Sequence, residues 1–250
     1  MDCKRLMLSL TIQLFLILFI IGQNKPAILL DVTYNLGFPQ ADLKNRYGNH
    51  LGISGGITYQ PAKNHFNFGL GFGYYFGSNV KEDVLKIFRT SFEGLLIGED
   101  QYLAEMKLKE RAYLAQIYMG GLIPIGSQKI ARQSFKWKLG FGFLQHKIRF
   151  VDDARAIRQF TTEYLQGVDR LTNGFALIPF LGYEFLSRKG LFSFYTGIEP
   201  IIGFTQNQRN YNYDTNESEF GIHRKDILIN FKIGIYLPFY LNTDLEKIEY

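Results

Sequence analysis

Three histidines and a small set of hydroxyl and carboxylate side chains are the residues of this sequence best suited to catalysis. A histidine within hydrogen-bond reach of a serine, oriented by a carboxylate, is the arrangement of a hydrolase. His50, His146 and His223 fall near the ends of predicted strands on one side of the molecule, and His65 falls on the other. The residues that could complete such a site are Ser54, Ser78, Asp152, Asp153 and Glu217. No spacing in the sequence enforces their proximity, so we predict no catalytic residue and keep hydrolysis as an alternative.

The same histidines raise the question of a metal site. Three imidazoles at one rim could bind a metal ion, although ordinary loop positions explain them more simply. The single cysteine, Cys3, lies in an N-terminal segment that we expect to be removed. Disulfides and cysteine-based metal sites are therefore excluded from the mature chain. We predict neither a metal site nor a cofactor.

A second group of candidates consists of charged residues set within otherwise apolar strands. They share the face opposite the apolar one, and they are Asp31, Lys136, Lys138, Glu184, Glu199 and Lys232. If that face lines an enclosed interior, these charges form a buried polar network. Asp31 and Lys232 could pair if the first and last strands are neighbours, and Glu184 and Glu199 lie on adjacent strands. The alternative is that the charges line a narrow path for ions or protons.

Long alternating strands are the elements that would position these residues. Between residues 226 and 240, isoleucine, phenylalanine and leucine occupy one parity, and mostly polar or small residues occupy the other. This period of two predicts a strand. Strands of soluble proteins have about 5–6 residues, whereas a tilted membrane-spanning strand needs about 9–11. Seven further segments alternate in the same way, at residues 27–36, 49–60, 66–76, 110–122, 135–150, 171–186 and 191–206.

Two of these strands have features that bear on the interior. The third strand carries aromatic residues on one face and Gly69, Gly71 and Gly73 on the other, which fits a narrow barrel interior. In the fifth strand the apolar residues change parity after Leu144, from which we predict a β-bulge.

The connections between the eight strands alternate in length. The turns on one side span residues 61–64, 123–133 and 187–190, and the loops on the other span 37–48, 78–109, 151–170 and 207–225. Short periplasmic turns, longer extracellular loops and an even number of strands are typical of bacterial outer-membrane barrels. Strands in lipid must satisfy all their backbone groups, so the sheet must close. The fold class that we predict is all-β, an antiparallel up-and-down transmembrane β-barrel of about eight strands; a soluble sandwich or barrel is the alternative.

The end of the last strand reads Lys232-x-Gly234-x-x-Leu237-x-Phe239. This pattern resembles the signal by which outer-membrane barrels are recognised by the barrel-assembly machinery. Together with the alternation, the Gly/aromatic strands and the apolar leader, it makes the chain resemble small bacterial outer-membrane β-barrel proteins of Gram-negative cells, including the Bacteroidetes type. The resemblance implies location in the outer membrane, with outer-membrane lipid and the barrel-assembly machinery as partners. It implies no single activity.

The resemblance covers residues 27–240, and the two ends of the chain need separate interpretation. Residues 1–22 have the pattern of a signal peptide, with Lys4 and Arg5 before an apolar run; a retained anchor is the alternative. We predict the barrel at residues 23–240 and a short periplasmic tail at 241–250, although such barrels usually end at the aromatic residue. The net charge of +5 is scattered along the chain, so we do not expect nucleic acid as a partner.

The long loops are the candidates for partner binding. Helical spacing is visible in the apolar residues of both the 78–109 and 151–170 loops, with Asp152 or Asp153 as the predicted helix cap. These residues either contact a partner or pack together as a lid, and they are Val84, Leu85, Phe88, Phe92, Ile157, Phe160, Tyr164 and Val168. We therefore predict a non-enzymatic scaffold or accessory subunit of an envelope protein complex, such as a secretion or assembly machinery. The alternatives are a lipid-modifying or hydrolytic barrel enzyme and a narrow channel.

Overall fold

The computed structural model describes residues 26–61, 66–90, 94–125, 131–187 and 192–241. The predicted signal peptide, His65, Phe92 and the predicted tail beyond Leu241 lie outside the described residues. Three short helical segments occur in the described part: α1 at Ala41–Arg46, a 3₁₀ turn at Lys86–Phe88 and α2 at Thr162–Gln166. No helix among the described residues is long and apolar enough to cross a membrane.

Strands make up most of the described chain. Their bounds are β1 Ala27–Gln40, β2 His50–Gln60, β3 Phe66–Gly77, β4 Leu96–Ile97, β5 Leu103–Ala104, β6 Lys107–Pro124, β7 Ala131–Val151, β8 Thr172–Ser187, β9 Ser193–Asn207 and β10 His223–Tyr240. Eight of them form a closed barrel in the order β1-β10-β9-β8-β7-β6-β3-β2, and every neighbouring pair is antiparallel. The predicted fold class is confirmed. The small β4–β5 hairpin lies in the second long loop, where no strand was predicted.

The first and last strands close the barrel. β1 pairs with β10 over its whole length, from Ala27 opposite Tyr240 to Gln40 opposite Ile227. The apolar parity of every barrel strand faces outward, so that Val32 and Ile233 remain 60% and 59% exposed. A ring without edges satisfies its backbone internally, and its apolar outer surface is suited to lipid rather than water.

The glycines of β3 make room for aromatic side chains inside the barrel. A Cβ atom on Gly69 would lie 2.4 Å from Cζ of Tyr118, and one on Gly73 would lie 2.9 Å from the Tyr75 hydroxyl. Tyr75 and Tyr118 are both buried. The absence of side chains at these positions therefore lets the rings of Tyr75 from β3 and Tyr118 from β6 fill the interior.

The predicted bulge in β7 is wrong. Its register with β6 runs without interruption from Lys107 opposite Val151 to Pro124 opposite Ser134. Leu144 and Ile148 keep the inward parity of Lys136, and all three side chains are buried. The apolar residues change parity because the interior changes from polar near the short turns to apolar near the long loops. The strand itself stays regular.

The long loops fold over one end of the barrel. We call the segments 41–49, 78–90, 94–106, 152–171 and 208–222 the loop dome. Its apolar side chains join those of the upper barrel in one cluster, which includes Leu43, Tyr47, Val84, Leu85, Leu96, Met106, Ile157, Val168, Leu144, Ile148 and Leu228. This cluster closes the interior on that side.

The helices predicted in the loops are shorter than their spacing suggested. Around Val84 and Leu85 only the 3₁₀ turn forms. α2 begins after Thr161, whose Oγ1 accepts a hydrogen bond from the Tyr164 amide at 3.2 Å. The prediction that Asp152 or Asp153 caps this helix is wrong. Asp152 instead accepts a hydrogen bond from the Ile157 amide at 2.8 Å and fixes the turn before it.

Candidate functional site

The lower interior, near the short turns, is built around Glu184. Its carboxylate accepts hydrogen bonds from Lys136 Nζ at 2.8 Å and from Arg132 at 2.5 Å. Arg132 also donates to the Gln60 side chain at 2.9 Å, and Lys136 donates to the Tyr236 hydroxyl at 2.5 Å. The Lys136–Tyr236 contact crosses the lumen from β7 to β10. Side chains thus fill the cross-section at this level, as expected for eight strands.

The predicted pair of Asp31 and Lys232 does not form. Lys232 Nζ donates instead to Glu199 at 2.8 Å, and the Asp31 carboxylate accepts from the Tyr195 hydroxyl at 2.8 Å. The reason is register, because Lys232 lies opposite Asn35 in β1 whereas Asp31 lies opposite Tyr236. Four residues of strand separate the two positions by about 13 Å.

Lys138 is an interior cation that forms no ion pair with a carboxylate of the described residues. Its Nζ lies 4.4 Å from the ring centroid of Tyr118, 4.8 Å from that of Phe180 and 5.5 Å from that of Tyr195. No salt bridge to Lys138 occurs among the described residues. Three aromatic faces around a desolvated ammonium group provide favourable cation–π interactions. The six charged residues proposed from the sequence are thus all placed inside the barrel, in separate contacts rather than in one chain.

Two buried histidine–carboxylate pairs lie in the upper interior. His50 Nδ1 lies 3.1 Å from both carboxylate oxygens of Glu110, and His146 Nε2 lies 2.9 Å from Asp226. Thr205 also donates to Asp226, at 2.5 Å. The sequence did not indicate Glu110 and Asp226 as the partners of these histidines, although both carboxylates hold inward positions of predicted strands. Each pair could move a proton, but both histidines are buried beneath the loop dome.

The residues proposed for an alternative hydrolytic site are not brought together. Ser54 bonds with Asn35, and no histidine–serine hydrogen bond occurs within the parts of the chain that the structure covers. His223 is exposed at the start of β10, while Asp153 pairs with Lys107. No group of three or more metal-binding side chains is found among the described residues.

The loop dome is held by a chain of ion pairs that joins all four outer loops. Glu82 accepts from Arg46 at 2.8 Å and from Arg170 at 2.5 Å. Arg170 also donates two hydrogen bonds to the Asp214 carboxylate, at 2.8 and 2.6 Å. Burial would raise the pKa of Glu82, but the guanidinium groups of Arg46 and Arg170 outweigh it and hold that pKa below its usual value. No sequence spacing indicated this chain, because each member comes from a different loop.

An aromatic groove opens on the outer surface of the loop dome. The Phe160 ring lies 5.1 Å from that of Phe88 and stacks on Tyr164 at 5.4 Å. The groove has a volume of about 560 Å³ and is lined by Phe88, Leu96, Ile97, Gln159, Phe160, Thr161 and Tyr164. We call these residues the dome groove.

Four of the loop residues predicted to contact a partner point away from solvent. Val84, Leu85, Ile157 and Val168 are at most 3% exposed and belong to the cluster beneath the dome. The expectation that these four contact a partner is corrected, because they pack as the underside of a lid. Phe88, Phe160 and Tyr164 remain at the surface in the dome groove, and Phe92 lies outside the described residues.

The residues of the proposed assembly signal lie on β10 beside the closing strand β1. Leu237 and Phe239 face outward, whereas Lys232 faces inward and donates a hydrogen bond to Glu199. Gly234 lies opposite Thr33, and a Cβ atom there would contact the Tyr195 ring at 2.5 Å. The apolar part of the motif therefore faces the same side as the lipid-facing residues.

Comparison with known proteins concerns the barrel alone. No family model matches the chain, and no curated protein matches it in sequence. The structure is similar to that of Neisserial surface protein A (NspA), with 10% identity, a TM-score of 0.44 and coverage of 85% of this chain and 99% of that chain. It is also similar to Ail, the attachment invasion locus protein of Yersinia pestis, in complex with the heparin analogue sucrose octasulfate, with 11% identity, a TM-score of 0.44 and coverage of 86% and 99%. With sequence identities and TM-scores this low, neither an activity nor a ligand of those proteins can be assigned to this chain.

The barrel itself establishes the environment of the chain. It combines eight antiparallel strands in a closed ring, an outward apolar surface and a filled interior that is polar near the short turns and largely apolar beneath the loop dome. The connections between strands are short on the side where β1 begins and β10 ends, and they are long on the other side. These are the features of a small outer-membrane β-barrel, with lipid around its wall and the loop dome on the extracellular side.

Proposed function

We propose that this outer-membrane β-barrel is a non-enzymatic scaffold or accessory subunit that binds another envelope protein through the dome groove. The observation that carries the proposal is the partly exposed apolar lining of that groove, which includes three aromatic rings and leaves Phe88 41% and Ile97 55% exposed. Aromatic residues are enriched in the centres of protein interfaces. A partner that belongs to a secretion or assembly machinery fits this arrangement.

The rigidity of the loop dome supports this role. The Glu82 chain of ion pairs and the apolar cluster beneath the loops hold the groove in one conformation. A surface that is already ordered loses less conformational entropy when a partner binds. Phe160 and Tyr164 would then act as preformed anchors rather than as residues that must be ordered on contact.

The enzyme and channel alternatives have less support. An enzyme needs a nucleophile near a base, and His50 and His146 are each engaged by a carboxylate beneath the dome. A channel needs a continuous lumen, whereas Lys136 reaches across it to Tyr236. A lipid-modifying or hydrolytic activity and a narrow conduction path thus stay as secondary hypotheses.

The remaining expectations from the sequence belong to the same proposal. A signal peptide at residues 1–22 would direct export, and the motif ending in Leu237 and Phe239 would be recognised by the barrel-assembly machinery. The resemblance to Bacteroidetes-type barrels, which rests on the leader, the alternation, the Gly/aromatic strands and the last strand, stays a hypothesis about lineage. Residues 241–250 would then extend into the periplasm.

The test is affinity purification of the tagged protein from detergent-solubilised outer membranes, with quantitative mass spectrometry of the proteins that accompany it. We expect another envelope protein in stoichiometric amount. Phe160→Ser should reduce its recovery severalfold, and Phe220→Ser, which removes an exposed aromatic ring outside the groove, should not. Recovery of a lone monomer from cross-linked membranes, or equal recovery from both variants, would contradict the proposal.

A further inference from the structure

Basic residues are concentrated on the outer wall of two neighbouring strands. Beyond Glu110 the strand β6 no longer pairs with β3, and beyond His146 the strand β7 no longer pairs with β8. The two continue together as a ribbon above the rest of the barrel. Its outward side chains are Lys107, Lys109, Arg111, Lys147 and Arg149, which we call the basic ladder.

The register places like charges directly opposite one another. Lys109 is the partner of Arg149, and Arg111 is the partner of Lys147. Opposed like charges destabilise a strand pair. Two consecutive outward pairs of this kind destabilise the unliganded protein by electrostatic repulsion. A bound anion would reduce this repulsion.

Few carboxylates within the described residues neutralise the ladder. Lys107 is compensated by Asp153 at 3.0 Å and Glu105 at 3.5 Å, and Lys147 lies 3.9 Å from Asp169, which is already held by Arg209. No salt bridge reaches Lys109, Arg111 or Arg149 in the part of the chain that the structure covers.

Arg111 carries the most specific geometry of the set. It donates to the Glu110 backbone oxygen at 2.8 Å, and its guanidinium lies 5.8 Å from the Tyr74 ring. Its Nε has no hydrogen-bond acceptor among the residues that the structure describes. An arginine held on one side, with unused donors, is suited to a phosphate or carboxylate group.

The height of the ladder on the barrel indicates which anion it meets. The six outward residues of β6 from Tyr113 to Ile123 are apolar or small, and the eleven strand positions that they span match the length of a tilted strand across the hydrocarbon core, about 9–11 residues. Tyr113 and Tyr74, whose rings lie 5.2 Å apart, stand at the upper edge as an aromatic girdle does. Arg111 is therefore the first outward position beyond the hydrocarbon, on the extracellular side.

We propose that the basic ladder binds the phosphate-bearing headgroup of a lipid in the outer leaflet of the outer membrane. Arg111 and Lys147 contact the phosphate nearest the acyl chains, and Lys109 and Arg149 contact negative charge one step further out. A lipid is favoured over a soluble polyanion because the ladder faces sideways, directly above the apolar wall that the acyl chains cover. This site is separate from the dome groove and does not depend on its partner.

The test measures lipid binding to the purified, folded barrel in neutral detergent by native mass spectrometry. The probes are bis-phosphorylated lipid A and the same lipid after enzymatic removal of both phosphates. We expect a one-to-one complex with the phosphorylated lipid that is about tenfold tighter than with the dephosphorylated one, equivalent to one charge-assisted contact. Equal affinity for the two lipids would overturn the proposal.

Variants locate the site on the chain. Lys109→Gln/Arg149→Gln should weaken binding of the phosphorylated lipid about tenfold. Arg155→Gln/Arg158→Gln removes the same charge from exposed loop residues off the ladder and should leave affinity within about twofold. If both double variants lose affinity equally, binding follows net charge and the assigned site is wrong.

Thermal unfolding distinguishes a binding defect from a folding defect. Without lipid at low salt, Lys109→Gln/Arg149→Gln should melt at or above the temperature of the wild type, because an opposed like-charge pair has been removed. The phosphorylated lipid should raise the melting temperature of the wild type more than that of this variant, because ligand stabilisation falls as the affinity falls. A comparable rise with inorganic phosphate alone would identify free phosphate as the ligand. Lipid-independent binding of heparin that the variant abolishes would identify a soluble polyanion. Either result would overturn the lipid proposal.

Discussion

Arg170 donates a 2.5 Å hydrogen bond to Glu82, and this contact joins the second outer loop to the third. Arg46 reaches the same carboxylate from the first loop, and Asp214 binds Arg170 from the fourth. The Arg170 side chain is almost entirely buried, and Glu82 and Asp214 compensate its positive charge. The loop dome is therefore a cooperative unit, in which one side chain stabilises several segments.

We predict that Arg170→Gln opens the loop dome while the barrel stays folded. Removal of one member of a buried ionic network should lower the local free energy of unfolding of the dome by roughly 3 kcal/mol. Hydrogen exchange of the outer loops should accelerate more than a hundredfold, since each 1.4 kcal/mol is a factor of ten. Arg155→Gln, at an exposed arginine outside this network, is the control. Unchanged exchange in Arg170→Gln would show that the apolar cluster alone holds the dome.

The same network makes the dome sensitive to acid. The pKa of Glu82 is lowered in the folded state by Arg46 and Arg170, so its contribution to stability is complete above its unfolded pKa of about 4.3. It is lost as the pH falls through the lower folded pKa. Exchange of the dome amides, corrected for intrinsic rates, should therefore be constant from neutral pH to about 5 and then accelerate toward pH 3. Glu82→Gln should open the dome at neutral pH and flatten this acid response; an unaltered response in Glu82→Gln would assign it to other carboxylates.

Substitutions in the lower interior should show strong coupling between Glu184 and its cationic partners. Glu184→Gln leaves Lys136 and Arg132 without their shared carboxylate, and we expect it to destabilise the barrel by about 3–5 kcal/mol. The double variant Glu184→Gln/Lys136→Met removes one of the uncompensated charges, so it should lose less stability than Glu184→Gln alone. Urea unfolding in lipid vesicles, followed by the heat-modifiable mobility of the folded barrel, measures both. Lys136→Met alone completes the cycle, and simple additivity of Glu184→Gln and Lys136→Met in the double variant would contradict the assigned contact.

Two glycines on the same face of β3 provide a matched test of interior packing. A Cβ atom on Gly69 would lie 2.4 Å from the Tyr118 ring and 2.5 Å from the backbone oxygen of Ile57, whereas one on Gly71 would lie 3.2 Å from the flexible Gln116. Gly69→Ala should therefore destabilise the barrel by about 1–3 kcal/mol, and Gly71→Ala by much less. The comparison uses urea unfolding at equal lipid composition. Equal effects would mean that the Tyr118 ring does not occupy the space beside Gly69.

The outward face of the barrel could be predicted from the sequence because lipid imposes one parity on every strand. Val32 and Ile233 illustrate this, since both lie on the apolar parity and both face outward. The parity change at Leu144 was misinterpreted as a bulge, because a sequence shows that the apolar residues change parity but not whether the strand or its surroundings change. The apolar lid above the barrel was the missing information.

Contacts between strands and loops could not be predicted because they depend on register and on loop conformation. Asp31 and Lys232 lie on neighbouring strands, yet four residues of register separate them. The ion pairs of Arg170 connect loops that are distant in sequence and have no repeated spacing. The dome groove likewise results from Phe88 and Phe160 meeting after both loops have folded.

The seam between β1 and β10 determines when the barrel can form. Fourteen residue pairs join the two strands, and the Leu241 amide extends the seam by donating to the Pro26 carbonyl at 2.9 Å. Any shorter chain leaves one edge of β1 and one edge of β9 unpaired in a setting where unpaired backbone is strongly disfavoured. Closure of the ring therefore requires the last strand, β10, and cannot precede its synthesis. The adjacency of β1 and β10 also predicts that a circularly permuted chain, joined across this seam and opened at one of the short turns, can form the same ring.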